Sequence, residues 1–128
     1  ALSPATNDPG TAIDVLAALQ RVFTLALTTD PSTEVVHERV WMRSPRMDEL
    51  VVDGFRPIAR DGAGVIEVQI RLQTTLAALA ALAPAHRARF AESAAVARRR
   101  ARGELDREDA RELARVSAGV WAPARRRR

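Results

Sequence analysis

The sequence predicts a mostly α protein: a compact bundle of about five helices with at most one short extended segment. Three observations lead there. Apolar residues recur at spacings of three and four along most of the 128-residue chain. A polar capper followed by proline opens two of these stretches, as Asp8-Pro9 and Ser44-Pro45. Turn-forming residues at 28–33, 60–64 and Gly103 separate them. The composition, 47% hydrophobic and 28% charged, supplies a core and argues against wholesale disorder. The length suits one domain. The expected division is a single helical domain over 1–122 and a disordered Arg-rich tail over 123–128.

The first helix runs from Pro9 to about Thr28. Proline fits the first turn because its missing N–H has no partner there, and Asp8 before it can accept from the exposed N–H groups. Loss of such a cap costs about 1 kcal/mol. Ala12, Leu16, Leu19, Phe23 and Ala26 form the apolar stripe, which Val15 and Val22 widen, so the helix is expected to be well buried. From Glu34 to Met42, Val36, Val40 and Met42 alternate with His37, Arg39 and Trp41, the pattern of an extended segment. A lone strand needs a partner. His37 is solitary, which gives no basis for a metal site.

A second helix follows Ser44-Pro45, with Asp48 and Glu49 in its first turn and Met47, Leu50, Val51, Phe55 and Ile58 on its apolar face. Pro57 within it should kink or split it near Gly54. Gly62 and Gly64 are expected to close it in the left-handed conformation of a helix C-cap. The next stretch is ambiguous: Ile66 to Gln73 alternates like a strand, yet no breaker separates it from the helical pattern of Thr74 to Leu82. A strand running into a helix without a turn is rare, so one long helix from Val65 to Leu82 is preferred. Val65, Val68, Leu72, Leu76 and Leu79 share a face, with Ile66, Ile70 and Ala77 beside it. This most hydrophobic element belongs at the centre, where Ala77, Ala78, Ala80 and Ala81 would let a neighbour come close.

After Pro84, residues 85–102 read as a helix with apolar positions Phe90, Ala94 and Ala97. Its basic end (Arg98, Arg99, Arg100, Arg102) reads as a solvated complement to the helix dipole, and Gly103 as the stop. Asp106 caps a last helix with Asp109 three residues on. Leu105, Ala110, Leu113, Ala114 and Ala118 are its expected buried positions. Arg107, Arg111 and Arg115 repeat on its exposed side among Glu108 and Glu112, and Trp121 closes the core.

Several chemistries lack their parts. There is no cysteine, and the two histidines, His37 and His86, stand in different elements. No phosphate loop or nucleophile elbow occurs. No catalytic residue, metal or cofactor is therefore expected, and the protein is read as no enzyme. All 20 basic residues are arginine, and Arg125 to Arg128 alone account for the net charge of +4, so the body is formally neutral. No apolar run is read as reaching a membrane span, the longest candidate being Leu76 to Pro84. The absence of an initiator methionine before Ala1 suggests a processed chain or an excised piece. Arg56 and Arg60, four apart, can hold Asp8 or Asp61 in a structural polar cluster, or an outside anion. The ligand-binding candidates are Ser3, Asn7, Asp8, Thr11, Arg56 and Arg60.

The order Leu2-Ser3-Pro4-Ala5, Asn7-Asp8-Pro9-Gly10-Thr11-Ala12, then Phe55-Arg56-Pro57-Ile58 and Arg60-Asp61-Gly62-Ala63-Gly64 resembles the C-terminal part of bacterial predicted membrane proteins, domain of unknown function 2254. The likeness covers most of the chain and weakens after about Pro84. It implies transmembrane helices ahead of this region, which would be their soluble part at the cytoplasmic side of the cell membrane. No reaction comes with it, and Ser3, Pro4, Asn7, Asp8, Pro9 and Thr11 inherit no named role.

The expected function is thus an interaction or regulatory module of a membrane protein. The expected partners are the transmembrane part of the same polypeptide, a second copy in a homo-oligomer, or an anionic membrane surface. Self-association rests on the unpaired extended segment and on apolar surface in the Val65 to Leu82 helix. One alternative is nucleic-acid or anionic-membrane binding through the Arg-rich C-terminal helices, nucleic acid being disfavoured by the neutral body. The other is small-ligand binding at the Asn7-Asp8-Pro9 motif.

Overall fold

A computed structural model describes residues 9–28 and 47–123. The expected Asp8 cap, the extended segment at 34–42 with His37, the Ser44-Pro45 cap and the arginine tail beyond Pro123 lie outside the described residues. Five α-helices follow in order: α1 (Pro9–Thr28), α2 (Met47–Asp61), α3 (Ile66–Leu82), α4 (Arg87–Arg102) and α5 (Arg107–Val120), with a 3₁₀ turn, Pro84–His86, between α3 and α4. No strand occurs among the described residues.

Helix α3 is the axis of the bundle: α1, α4 and α5 all pack on it, and α2 lies mainly against α4. The strand-like alternation of Ile66 to Gln73 is helical in the structure, because a helix enclosed on several sides is apolar nearly all round and loses a clean 3.6 period. Val68, Leu72, Leu76, Leu79 and Ala80 are buried along it. The small residues that admit a close neighbour lie mostly on α4, where Ala94, Ala97 and Ala101 are buried beside Phe90.

The core continues through Leu16 and Phe23 of α1 and Phe55 of α2. Phe23 stacks on Phe55 with ring centroids 5.3 Å apart and meets Phe90 edge-on at 6.4 Å. One aromatic from each of three helices thus joins α1, α2 and α4 over the flank of α3. Such pairs contribute about 0.5–1.5 kcal/mol beyond their burial.

Three local expectations are corrected. Helix α1 is not well buried: Leu16 and Phe23 are, but Val15, Val22 and Leu25 are 42%, 62% and 69% exposed. One face of α1 meets the bundle and the other meets solvent, so a wide apolar stripe does not imply a wide contact. Pro57 does not split α2, which runs continuously from Met47 to Asp61. Neither Gly62 nor Gly64 has the positive φ of a left-handed cap. Gly103 does end α4 at Arg102 as expected, with a right-handed φ of −80°.

Gly62 is needed for space instead. A Cβ there would lie 2.6 Å from Val68 Cγ1 and 3.1 Å from the Ile58 carbonyl oxygen. The Gly62 N–H donates to the Ile58 carbonyl at 2.9 Å, and its own carbonyl accepts from Val65 N at 3.0 Å. Asp106 caps α5 as expected, its Oδ1 accepting from the Asp109 N–H at 2.8 Å. On α5 itself Leu113 and Ser117 are the buried residues, whereas Leu105 and Ala110 are half-buried and Ala114 and Ala118 are exposed.

Candidate functional site

Two neighbouring features arise where α4 meets its partners. The first is a polar node centred on a buried glutamine. Gln73 of α3 has no exposed surface. Its Nε2 donates to the Ala94 carbonyl of α4 at 3.0 Å. Its Oε1 accepts from Trp121 Nε1 at 3.0 Å, Arg98 Nη1 at 3.1 Å and Ser117 Oγ at 3.2 Å. Arg98 Nη1 also donates to Ser117 Oγ at 2.9 Å. One glutamine thereby ties α3 to α4, to α5 and to the residue that ends α5. Arg87 fastens that end from outside, donating to the Trp121 carbonyl at 3.1 Å with its guanidinium 5.5 Å from the ring centre.

Arg98 is the member of this node that the reading of the basic helix end missed. It does not join the solvated cluster but turns inward, four residues after the buried Ala94 and one after the buried Ala97. Burial, then the positive charges of Arg102 and Arg99, hold its pKa below the ordinary arginine value. It stays charged throughout the physiological range. Among the described residues no carboxylate pairs with it. Beside the node, Arg98, Arg102, Leu113, Ala114, Ser117 and Trp121 line a cavity of about 280 Å³.

The second feature is a groove of about 540 Å³ between α2 and α4. Arg56, Ala59 and Arg60 form one wall, and Arg89, Ser93, Val96 and Arg100 the other, with Phe55, Leu72, Leu76 and Ala97 at its base. Both walls follow from helical spacing: 56 and 60 are one turn apart, and 89, 93, 96 and 100 descend one face of α4. Arg60 Nε donates to Asp61 at 3.1 Å, which bears out the internal pairing with Asp61, although both side chains are half exposed. Glu92 accepts from Arg89 at 2.9 Å.

Of the residues expected to bind a ligand, Arg56 and Arg60 come together in this groove. Thr11 is exposed in the first turn of α1 and does not line it. Ser3, Asn7 and Asp8 lie outside the described residues. Among the described residues no three His, Asp or Glu side chains gather as a metal site. On α5, Glu112 accepts from Arg115, and that hydrogen bond holds its carboxyl below the usual range. Asp109 is raised by desolvation and by Asp106, Glu67 and Glu112.

A family model for domain of unknown function 2254, described as a predicted membrane protein, matches residues 1–78, more than half of the chain. The chain belongs to that family. The matched region of this predicted membrane protein ends inside α3, so it takes in α1, α2 and the Gly62 turn and leaves α4 and α5 outside. No curated protein and no solved structure matches the chain. A membrane-span candidate exists, contrary to the expectation from the sequence. It is Gly10–Thr28, 19 residues of mean hydropathy 1.4, nearly all of α1. Asp14 and Arg21 interrupt its apolar run, but two charges in that length leave it apolar enough to span.

Proposed function

We propose that this chain is a contact module of a membrane protein, at the cytoplasmic side of the cell membrane, working by binding and not by catalysis. The partner is the membrane-embedded part of the same polypeptide, seated on the outer face of α1. One observation supports this most: α1 carries an exposed apolar stripe, Val15, Val22 and Leu25, opposite the face that buries Leu16 and Phe23. Isolated apolar residues on a surface are ordinary, but a stripe along one helix marks an interaction surface. Self-association through α3 has less apolar surface to draw on: Val68, Leu72, Leu76 and Leu79 are buried, Ile66 and Ile70 half-buried, and Leu82 at its end is exposed.

The hydropathy of α1 favours a second reading, in which it leaves the bundle and spans the bilayer. Nineteen residues at about 1.5 Å each reach about 28 Å, close to the ~30 Å hydrocarbon core. Insertion would withdraw Leu16 and Phe23 from the core and place Asp14 and Arg21 in lipid, so the docked reading is preferred.

The chain has no cysteine, which allows a clean test. In the full-length protein, otherwise cysteine-free and in native membranes, Val22→Cys carries a photo-cross-linker. Cross-linking within the polypeptide, to a membrane-embedded peptide, is expected. Cross-linking to lipid supports insertion, and a doubled mass supports a second copy; either result would replace the docked reading.

A further inference from the structure

We infer that the α2–α4 groove binds a single-chain anionic amphiphile: an alkyl tail ending in a phosphate or carboxylate. Arg56, Arg60, Arg89 and Arg100 border one concavity, whose lining holds a single carboxylate, Glu92, already engaged by Arg89. Among the described residues neither Arg56 nor Arg100 has an ion-pair partner. Like charges one helical turn apart, as at Arg56 and Arg60, cost stability. The protein keeps that pair on one wall and faces it with Arg89 and Arg100 on the other, and an anion between the walls would relieve it. Guanidinium groups bind phosphate and carboxylate through paired N–H donors, which suits a head group held between walls.

The rest of the groove is apolar. Ala59 and the exposed Val96 face it between the arginines, over Phe55, Leu72 and Leu76. A volume of about 540 Å³ falls within the ~300–1,000 Å³ typical of small-molecule sites. A free inorganic anion would leave the apolar base unused. Nucleic acid would need a longer basic track than this short concavity gives. An amphiphile uses both halves. The inference does not rest on the role given to α1, because its test reads α2 and α4.

Calorimetric titration of the full chain with dodecyl phosphate, below its micelle concentration, tests it. The expected result is saturable one-to-one binding. It should weaken at least about tenfold in Arg56→Ala/Arg100→Ala, and likewise in Val96→Glu, which puts a carboxylate between the walls. Arg111→Ala, exposed on α5 and away from the groove, should bind as the parent does, and the helical circular dichroism of every variant should be unchanged. Inorganic phosphate and the uncharged dodecyl maltoside should both bind far more weakly. Equal binding of the uncharged detergent, equal binding of inorganic phosphate, indifference to both groove variants, or no binding of dodecyl phosphate would each overturn the inference.

Discussion

Helices α1 and α5 pack on the same central helix, but different chemistry holds them. The α1 seam is apolar: Leu16 and Phe23 enter the core, and Ala12, Leu19 and Leu27 pack half-buried around them. The α5 seam has Leu113 for its apolar contact and is closed by the Gln73, Arg98, Ser117 and Trp121 hydrogen bonds. Apolar contact is non-directional and tolerates a shifted or detached neighbour. A satisfied buried polar network has one geometry, so it fixes the register of α3, α4 and α5. The second half of the chain is thus built as a frame, with α1 laid against it so that its other apolar face stays available.

The largest effect should come from the frame. Gln73→Leu removes the acceptor shared by three donors and should cost about 4 kcal/mol in denaturant unfolding. Adding Arg98→Met and Ser117→Ala should recover part of that loss, since removing both sides of a buried polar contact costs less than removing one. Gln69 sharpens the point. It is equally buried and donates to the Gly62 carbonyl at 2.9 Å, but its Oε1 has no partner among the described residues. Gln69→Leu should cost well under half as much.

Next comes the α1 anchor. Phe23→Ala should cost about 3 kcal/mol through the cavity left against Phe55 and Phe90. Two glycines should then diverge. Gly62→Ala should cost about 2 kcal/mol, because the new methyl collides with Val68 and the Ile58 carbonyl oxygen. Gly54→Ala should instead gain about 0.5–1 kcal/mol from helix propensity, as its Cβ would meet Phe23 and Leu19 at ordinary contact distances of 3.5 and 3.7 Å. The smallest effect belongs to the outer face: Val22→Ser should change the stability of the chain by less than about 0.5 kcal/mol while weakening the contact proposed for α1.

The sequence was most legible where the signal was local. The bounds of α1, the single helix α3 and the Asp106 cap all follow from neighbouring residues, and the structure has each of them. What depends on distant packing was harder to read. Gln69 and Gln73 look like solvent positions until three helices surround them. Arg98 looks like one more cation in a basic run, though its place on the Phe90–Ala94–Ala97 stripe carried the signal. The glycines looked like left-handed caps because that is the commonest use of a closing glycine; at Gly62 the close approach of Val68, a contact across the turn, decides instead. The groove was half visible. Arg56 and Arg60 stood out by spacing, whereas Arg89 and Arg100 joined them only through the packing of α4 on α2.

Native-state amide hydrogen exchange tests the central claim most directly, because it reports the opening free energy of each helix separately. If α1 is an outlying element laid on a locked frame, its amides exchange by an opening distinctly cheaper than global unfolding, while those of α3 and α4 around Gln73 and Ala94 exchange only with it. Exchange of α1 and α3 at the same free energy would contradict the account.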